Sequence, residues 1–321
     1  MAAPMRAILS GRSGPPFHPP MSNFRATFRA MASEHKIELA GADDAAAQRA
    51  ADAAITDVQR IEQKYTRYRD DSLTSRINQA ACGAAVPIDA ETAALLRYAD
   101  ACHRLSHGKF DITSGVLRQA WNFRSDPPIR PAQQAIDRVL PLINWSEVEW
   151  DDGSIRLPRI GMEIDFGGIG KEYAADRVAT ILQEQGMRHG LVNLGGDVRA
   201  FGAQADGTPW RVGIRHPRRD GAAIAGVELA DGALATSGDY ERFIEIDGVR
   251  FCHILDATTG MPVRHWQSIS VMAPLCVMAG SCSTIAMLLQ DEAPAFLAEQ
   301  ATWWHGVRSD GRVVGTESDL L

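Results

Sequence analysis

No stretch of this 321-residue chain approaches 18 consecutive apolar residues, so nothing in it reads as a bilayer-spanning helix. Long lysine or arginine runs are missing too, and 33 basic against 40 acidic residues leave a net charge of −7. Such a chain is not built as a general binder of nucleic acid or of anionic membrane surfaces. Cysteine is sparse. Cys82, Cys102, Cys252, Cys276 and Cys282 are odd in number, unpaired as CxxC and set among small or apolar residues. That pattern excludes a disulfide framework and predicts buried, reduced thiols. No internal repeat or interior low-complexity linker is present. The first twenty residues lack the apolar core of a secretory signal and carry no lipid-anchor cysteine. Pro15, Pro16, Pro19 and Pro20 disfavour regular structure there, so residues 1–22 are expected to be an irregular tail. These features point to the cytoplasm, or to the periplasm if a leader has been removed.

What is present is ordinary globular composition, 45% hydrophobic and 23% charged, long enough to bury a full core. Residues 23–42 include FRATFRA and HKIELAG, where apolar and polar residues alternate as in a half-buried strand. Asp43 and Asp44 then mark a helix start, and a second helix is predicted from Asp89 to His107, closed by Gly108. VEWDDGSIRL reads as a hairpin turning at Asp152–Gly153. The segment from Gly161 to Gly202 reads as strand, tight glycine turn, helix over about Lys171–Gln185, then strand. Further strands turn at Asp247–Gly248 and Thr259–Gly260, before a small-residue helix at about Met278–Leu289 and a final helix–strand pair. Local and crossing strands in this mixture predict an α+β fold, not a doubly wound parallel sheet.

Several common chemical signatures are excluded by single residues. In the glycine turn Gly167–Gly168–Ile169–Gly170–Lys171, Asp165 stands where a Walker A loop needs its first glycine, and Glu172 where it needs Ser or Thr. The turn is not a dinucleotide GxGxxG either, although its glycines and the following helix could approach an anion. His103 and His107 are four apart, but Arg104 occupies the position where a zinc protease needs glutamate. No GxSxG elbow exists. Asp165, Asp197, Asp239 and Asp256 all adjoin glycines or strand ends, where a carboxylate either lines a cleft or caps a turn. Thr236–Tyr240 and Cys252–Pro262 add hydroxyls, a histidine and carboxylates suited to proton transfer or phosphate orientation.

Taken in order, YTRYRDDSLTSRIN, GKFDITSG, IDFGGIGKEYAADR, LVNLGGDVRAFG, TSGDYERF and HILDATTGMPV resemble the ApbE family, the FAD:protein FMN transferases. The resemblance runs from about Phe24 to the C-terminus. It implies one α+β flavin-transferase domain over residues 23–321, T-fold-like, with mixed or antiparallel sheets flanked by helices and FAD held in a cleft. It also implies Mg2+-dependent attack on the FAD pyrophosphate, passing FMN to a Thr or Ser hydroxyl of a target flavoprotein and releasing AMP. Some relatives hydrolyse FAD to FMN and AMP instead.

Position by position, the resemblance makes Met31 an FAD contact, followed by Ala32–Ser33 where the family has Gly-Thr. Tyr68 matches an aromatic that packs on the flavin. Lys109, Phe110 and Asp111 match a G-x-F-D segment lining the cofactor, and Asp165, Lys171 and Ile254 match further ligand contacts. His253 or Asp256 is the candidate for assisting deprotonation of the acceptor hydroxyl. For the metal, the family pattern A-D-A-x-x-T becomes Ala279–Gly280–Ser281–Cys282–Ser283–Thr284. Thr284 and the Gly168 carbonyl are kept as metal positions, but Gly280 stands where the charged ligand belongs. The alternative to a working transferase is a non-catalytic FAD-binding paralogue, a flavin carrier or regulatory protein.

Overall fold

The structure is a computed structural model that describes residues 6–8, 23–301 and 303–316. Residues Asn23–Ala30 (β1) and Ser33–Ala40 (β2) are strands, as the alternation predicts, and the structure pairs them as the first hairpin. Its turn is Met31–Ala32, both left-handed at φ 47° and 61°, the two-residue geometry whose twist suits antiparallel strands. Asp43 then accepts the Ala46 N–H and caps α1 (Asp44–Tyr65), which buries Ala47, Ala50, Ala54, Val58 and Ile61 on one face. Ser72 caps α2 (Leu73–Gln79) and Asp89 caps α3 (Ala90–Leu105). Helix α3 stops short of the expected His107. That residue (φ 54°) and Gly108 (φ 82°) are left-handed and reverse the chain, so the helical spacing of His103 and His107 is lost.

Helix α4 (Gln133–Val139) is short, and the hairpin Glu149–Trp150 with Ser154–Arg156 turns where expected. Helix α5 (Gly170–Glu184) follows the glycine turn. The remaining long elements are β3 (Gly190–Leu194), β4 (Asp197–Phe201), β5 (Gly232–Gly238), β6 (Trp266–Ala273), α6 (Cys276–Leu289), α7 (Ala293–Gln300), β7 (Trp303–Arg308) and β8 (Val313–Gly315).

The eight strands lie side by side in chain order, β1 to β8, and each neighbouring pair is antiparallel. Of the two sheet types allowed by the sequence, the central sheet is therefore the antiparallel one. Helices α1, α5 and α6 cover one face, where Val192, Leu194, Ile269 and Val271 point. Other residues of the same sheet, Val198, Leu234 and Met272, point to the other face. That face is covered by the hairpin Trp210–Arg215/Ala223–Leu229, whose edge pairs with Arg6–Ile8. Three residues of the expected irregular tail are thus a strand, and the rest of it lies outside the described residues. Strand β6 is buried along its whole length between the two layers. Four cysteines are buried as expected, whereas Cys82 is exposed in a turn; all five are free. Among the described residues, no helix is long and apolar enough to cross a membrane.

Candidate active site

The glycine turn before α5 is held from both sides. Asp165 accepts the Gly167 N–H at 2.9 Å, and its other oxygen meets Arg67 Nη1 at 2.7 Å. Beneath, the Phe110 ring lies 3.1 Å from where a Cβ on Gly168 would stand, so glycine lets the backbone rest on the ring. Arg67 also lies over the Tyr68 ring, 5.3 Å from its centroid. Tyr68 is 78% exposed, a large free aromatic face at the rim of the turn. Helix α5 begins at Gly170 with Ile169 as N-cap and no side-chain cap; the Gly170 N–H goes to the Phe166 carbonyl at 2.7 Å, so an anion there would meet the N–H groups after it.

Lys171, in the first turn of α5, reaches Asp197 at the head of β4, with Nζ to Oδ2 at 2.6 Å. Burial opposes the ammonium charge, yet Asp197 outweighs it and holds the lysine above its ordinary range. Asp197 is 4% exposed, and burial pushes its carboxyl up against the pull of Lys171. A Cβ on Gly195 would stand 2.8 Å from Ser33 Oγ and 3.6 Å from Lys171 Cδ, so the β1–β2 turn, the β3–β4 turn and Lys171 meet at one place. Met31, at the first of these turns, donates its backbone N–H to Glu62 at 2.7 Å.

Behind this pair lies a chain of hydroxyls between β5 and α6. Ser237 Oγ is 2.8 Å from both Ser283 Oγ and Thr284 Oγ1, and Ser283 donates to the Gly280 carbonyl at 2.9 Å. Each hydroxyl has one proton and two lone pairs, so whichever of Ser237 and Thr284 donates to the other, the Thr284 oxygen keeps a lone pair free.

Glu172, next to Lys171, is one functional residue that the sequence reading passed over. It is 9% exposed, and its Oε2 has no hydrogen-bond partner. Burial and the nearby Asp197 raise its pKa well above the ordinary carboxylate range. Its carboxyl fills the place a side chain at Gly280 would take: a Cβ there would stand 2.5 Å from Glu172 Cγ and 2.9 Å from Oε1. A signal was available. Glu172, Ala175, Ala179 and Leu182 share one buried stripe of α5, and a charged residue in an apolar stripe calls for a partner.

Other expected site residues are committed elsewhere. Asp256 accepts the Thr258 N–H and hydroxyl on one oxygen and Lys109 Nζ, at 2.9 Å, on the other. It braces two loops, with both oxygens engaged. Asp111 is likewise engaged by Thr113 N–H and hydroxyl and by the Trp145 N–H, facing away into a structural network. The Ile254 side chain lies in the main core, so only its backbone is available to a ligand. Phe110 is buried and supports the glycine turn from below. His253 is different. Its Nδ1–H donates to the Arg242 carbonyl at 3.2 Å, leaving the lone pair on Nε2, and burial with the charge of Arg242 pushes its pKa down to about 4.

Two surface cavities, about 430 and about 570 Å3, are lined by other residues, Trp145 and His103 in one and Arg69 and Arg76 in the other. Among the described residues, no three His, Cys, Asp or Glu side chains are grouped to hold a metal. A hard cation such as Mg2+ does not need such a group, because hydroxyls, carbonyls, water and substrate phosphates complete its oxygen shell.

The ApbE family model matches residues 31–303 of this chain. The chain is 32% identical over 248 residues to the FAD:protein FMN transferase of Vibrio cholerae, covering 75% of this chain and 74% of that one. It is 32% identical over 268 residues to the Treponema pallidum protein of the same name, covering 78% and 74%. The fold superposes on the crystal structure of the ApbE protein of Thermotoga maritima with a TM-score of 0.85 at 30% identity, covering 92% and 97% of the two chains. The flavin transferase ApbE of Vibrio cholerae gives 0.80 at 25% identity, covering 94% and 98%.

Proposed function

Because the chain belongs to the ApbE family, we propose that it is an FAD:protein FMN transferase, moving FMN from FAD to a Thr or Ser hydroxyl of an acceptor flavoprotein. The observation that carries this reading is the convergence at one end of α5. An uncapped helix N-terminus, the Lys171–Asp197 pair and the oxygen-only cluster ending in Thr284 meet there, a donor set suited to a pyrophosphate and a hard cation.

In the reaction the acceptor oxygen bonds to the FMN phosphorus, the bridging P–O bond breaks, and AMP leaves with that oxygen. The Gly168 carbonyl and the Thr284 hydroxyl would hold Mg2+, which when bound offsets the charge on the pyrophosphate oxygens. The open N–H groups of α5 and the Lys171 ammonium orient the phosphates. Tyr68 offers its exposed ring to the flavin or adenine plane. His253 takes the acceptor proton on Nε2. It stays neutral at physiological pH, with its tautomer set by Arg242, whereas Asp256 has its oxygens engaged.

One observation favours the second reading, a flavin carrier: position 280 offers no side chain to a metal. The test is incubation with FAD, Mg2+ and a flavin-acceptor protein. The transferase reading expects FMN covalently on the acceptor with one AMP released per FMN attached. FAD bound without AMP release would support the carrier, and AMP without a modified acceptor would indicate hydrolysis.

A further inference from the structure

Helices α5 and α6 enclose a carboxyl with an oxygen that has no hydrogen-bond partner. Glu172 is 9% exposed, its Oε2 lacks any hydrogen-bond partner, and the adjacent ammonium of Lys171 is held 2.6 Å from Asp197. The guanidinium of Arg199 serves Asp176 and Asp231. A buried carboxyl in this state is costly, because the charge of Lys171, which is shared with Asp197, is a partial substitute for the water it gave up. Across from it, Gly280 leaves an opening that the Glu172 carboxyl enters, within 3.0 Å of where a Cβ would stand. Gly280 and Thr284 are one helical turn apart and share a face of α6. The carboxyl therefore lies on the same side as the Thr284 oxygen, which keeps a lone pair free.

We propose that Glu172, reaching from α5 into the space beside Gly280, is the carboxylate this chain offers to a divalent cation held with the Thr284 hydroxyl. An anionic oxygen and a hydroxyl, with water and phosphate oxygens to complete the shell, are the ligands that Mg2+ or Mn2+ takes. Glu172 on α5 then takes the place of the charged ligand that position 280 on α6 lacks. This assignment rests on the transferase reading and adds the origin of its charged ligand.

Mn2+ is the probe, followed by the loss of free-ion EPR signal on titration into the full chain, with and without FAD. The Glu172→Gln variant keeps the shape and removes the charge; its Mn2+ affinity falls at least about tenfold while its FAD affinity in metal-free buffer is unchanged. Gly280→Asp alone gains no affinity, since its Cβ meets Glu172 Cγ at 2.5 Å. The double variant Glu172→Ala/Gly280→Asp returns to within a few-fold of the starting affinity, and supplies the test should Glu172→Gln fail to fold. Unchanged Mn2+ binding by Glu172→Gln, with AMP release from FAD still metal-dependent, overturns the assignment and leaves the transferase standing. A wild-type chain that binds FAD but neither Mn2+ nor releases AMP overturns both.

Discussion

Two glutamates beside α5 have opposite surroundings. Glu91 accepts from Arg60 at 2.7 and 2.8 Å, from Lys64 at 2.6 Å and from the Tyr173 hydroxyl at 2.7 Å. Burial works against its charge, but Arg60, Lys64 and Tyr173 hold its pKa far below the ordinary range. Glu172, one residue before Tyr173, is more deeply buried, and its Oε2 has no partner. The first is a rivet between α1, α3 and α5. The second is the carboxyl we assign to a divalent cation. The difference teaches that a carboxylate's role is read from what surrounds its oxygens, and the same distinction separates the engaged Asp256 from His253.

The largest effect on this contrast comes from removing the one nearby cation. Lys171→Met leaves Asp197 and Glu172 buried together without it, and urea unfolding should show a loss of about 3 kcal/mol. Next is the uncommitted base. His253→Gln should lower the rate of acceptor flavinylation by about 100-fold with FAD affinity nearly unchanged. In the wild type, activity should fall on the acid side near pH 4, where His253 gains its proton, and not near 6.5. A limb at 6.5 would remove His253 from this role.

Glu91→Gln should cost about 2 kcal/mol near neutral pH, because charged hydrogen bonds become neutral ones. Its pKa is depressed, so its contribution is complete above the ordinary 4.5 and is lost as pH falls below that value. Stability of the variant measured from pH 7 to 3 should therefore fall less steeply than wild type. Smallest of all is Glu172→Gln in EDTA. Exchanging an unpaired buried carboxylate for an amide should leave unfolding within about 0.5 kcal/mol of wild type, or raise stability. A loss as large as that of Glu91→Gln would show that Glu172 is a second rivet.

Much of the architecture was legible because its signals are local. Asp43 and Asp89 announced helix starts, and Asp152–Gly153 a hairpin, through interactions a few residues long. The ordering of eight strands was not legible, since it depends on pairings such as Ile37 with Val192 that span most of the helical layer. At the site, motif position did not show how the Asp111 and Asp256 carboxylates are engaged. Both lie in D-x-T, where the carboxylate takes the N–H and hydroxyl two residues on, and Asp206–Thr208 does the same in a surface loop. The D-x-T signature thus marks a turn whether or not a ligand is near. Glu172 escaped for the opposite reason. An acidic residue in a first helical turn looks like an ordinary partner of the helix dipole, which masks the apolar stripe it shares with Ala175, Ala179 and Leu182; the opening at Gly280, far along the chain, shows where its carboxyl goes.

The most direct measurement of the central claim is a crystal grown with Mn2+ and FAD, with the metal located by anomalous scattering. The account predicts a peak at a bonding distance of about 2.2 Å from a Glu172 oxygen and from Thr284 Oγ1, the Glu172 carboxyl still beside Gly280. A peak held by other side chains, with the Glu172 carboxyl turned away from it, would contradict it.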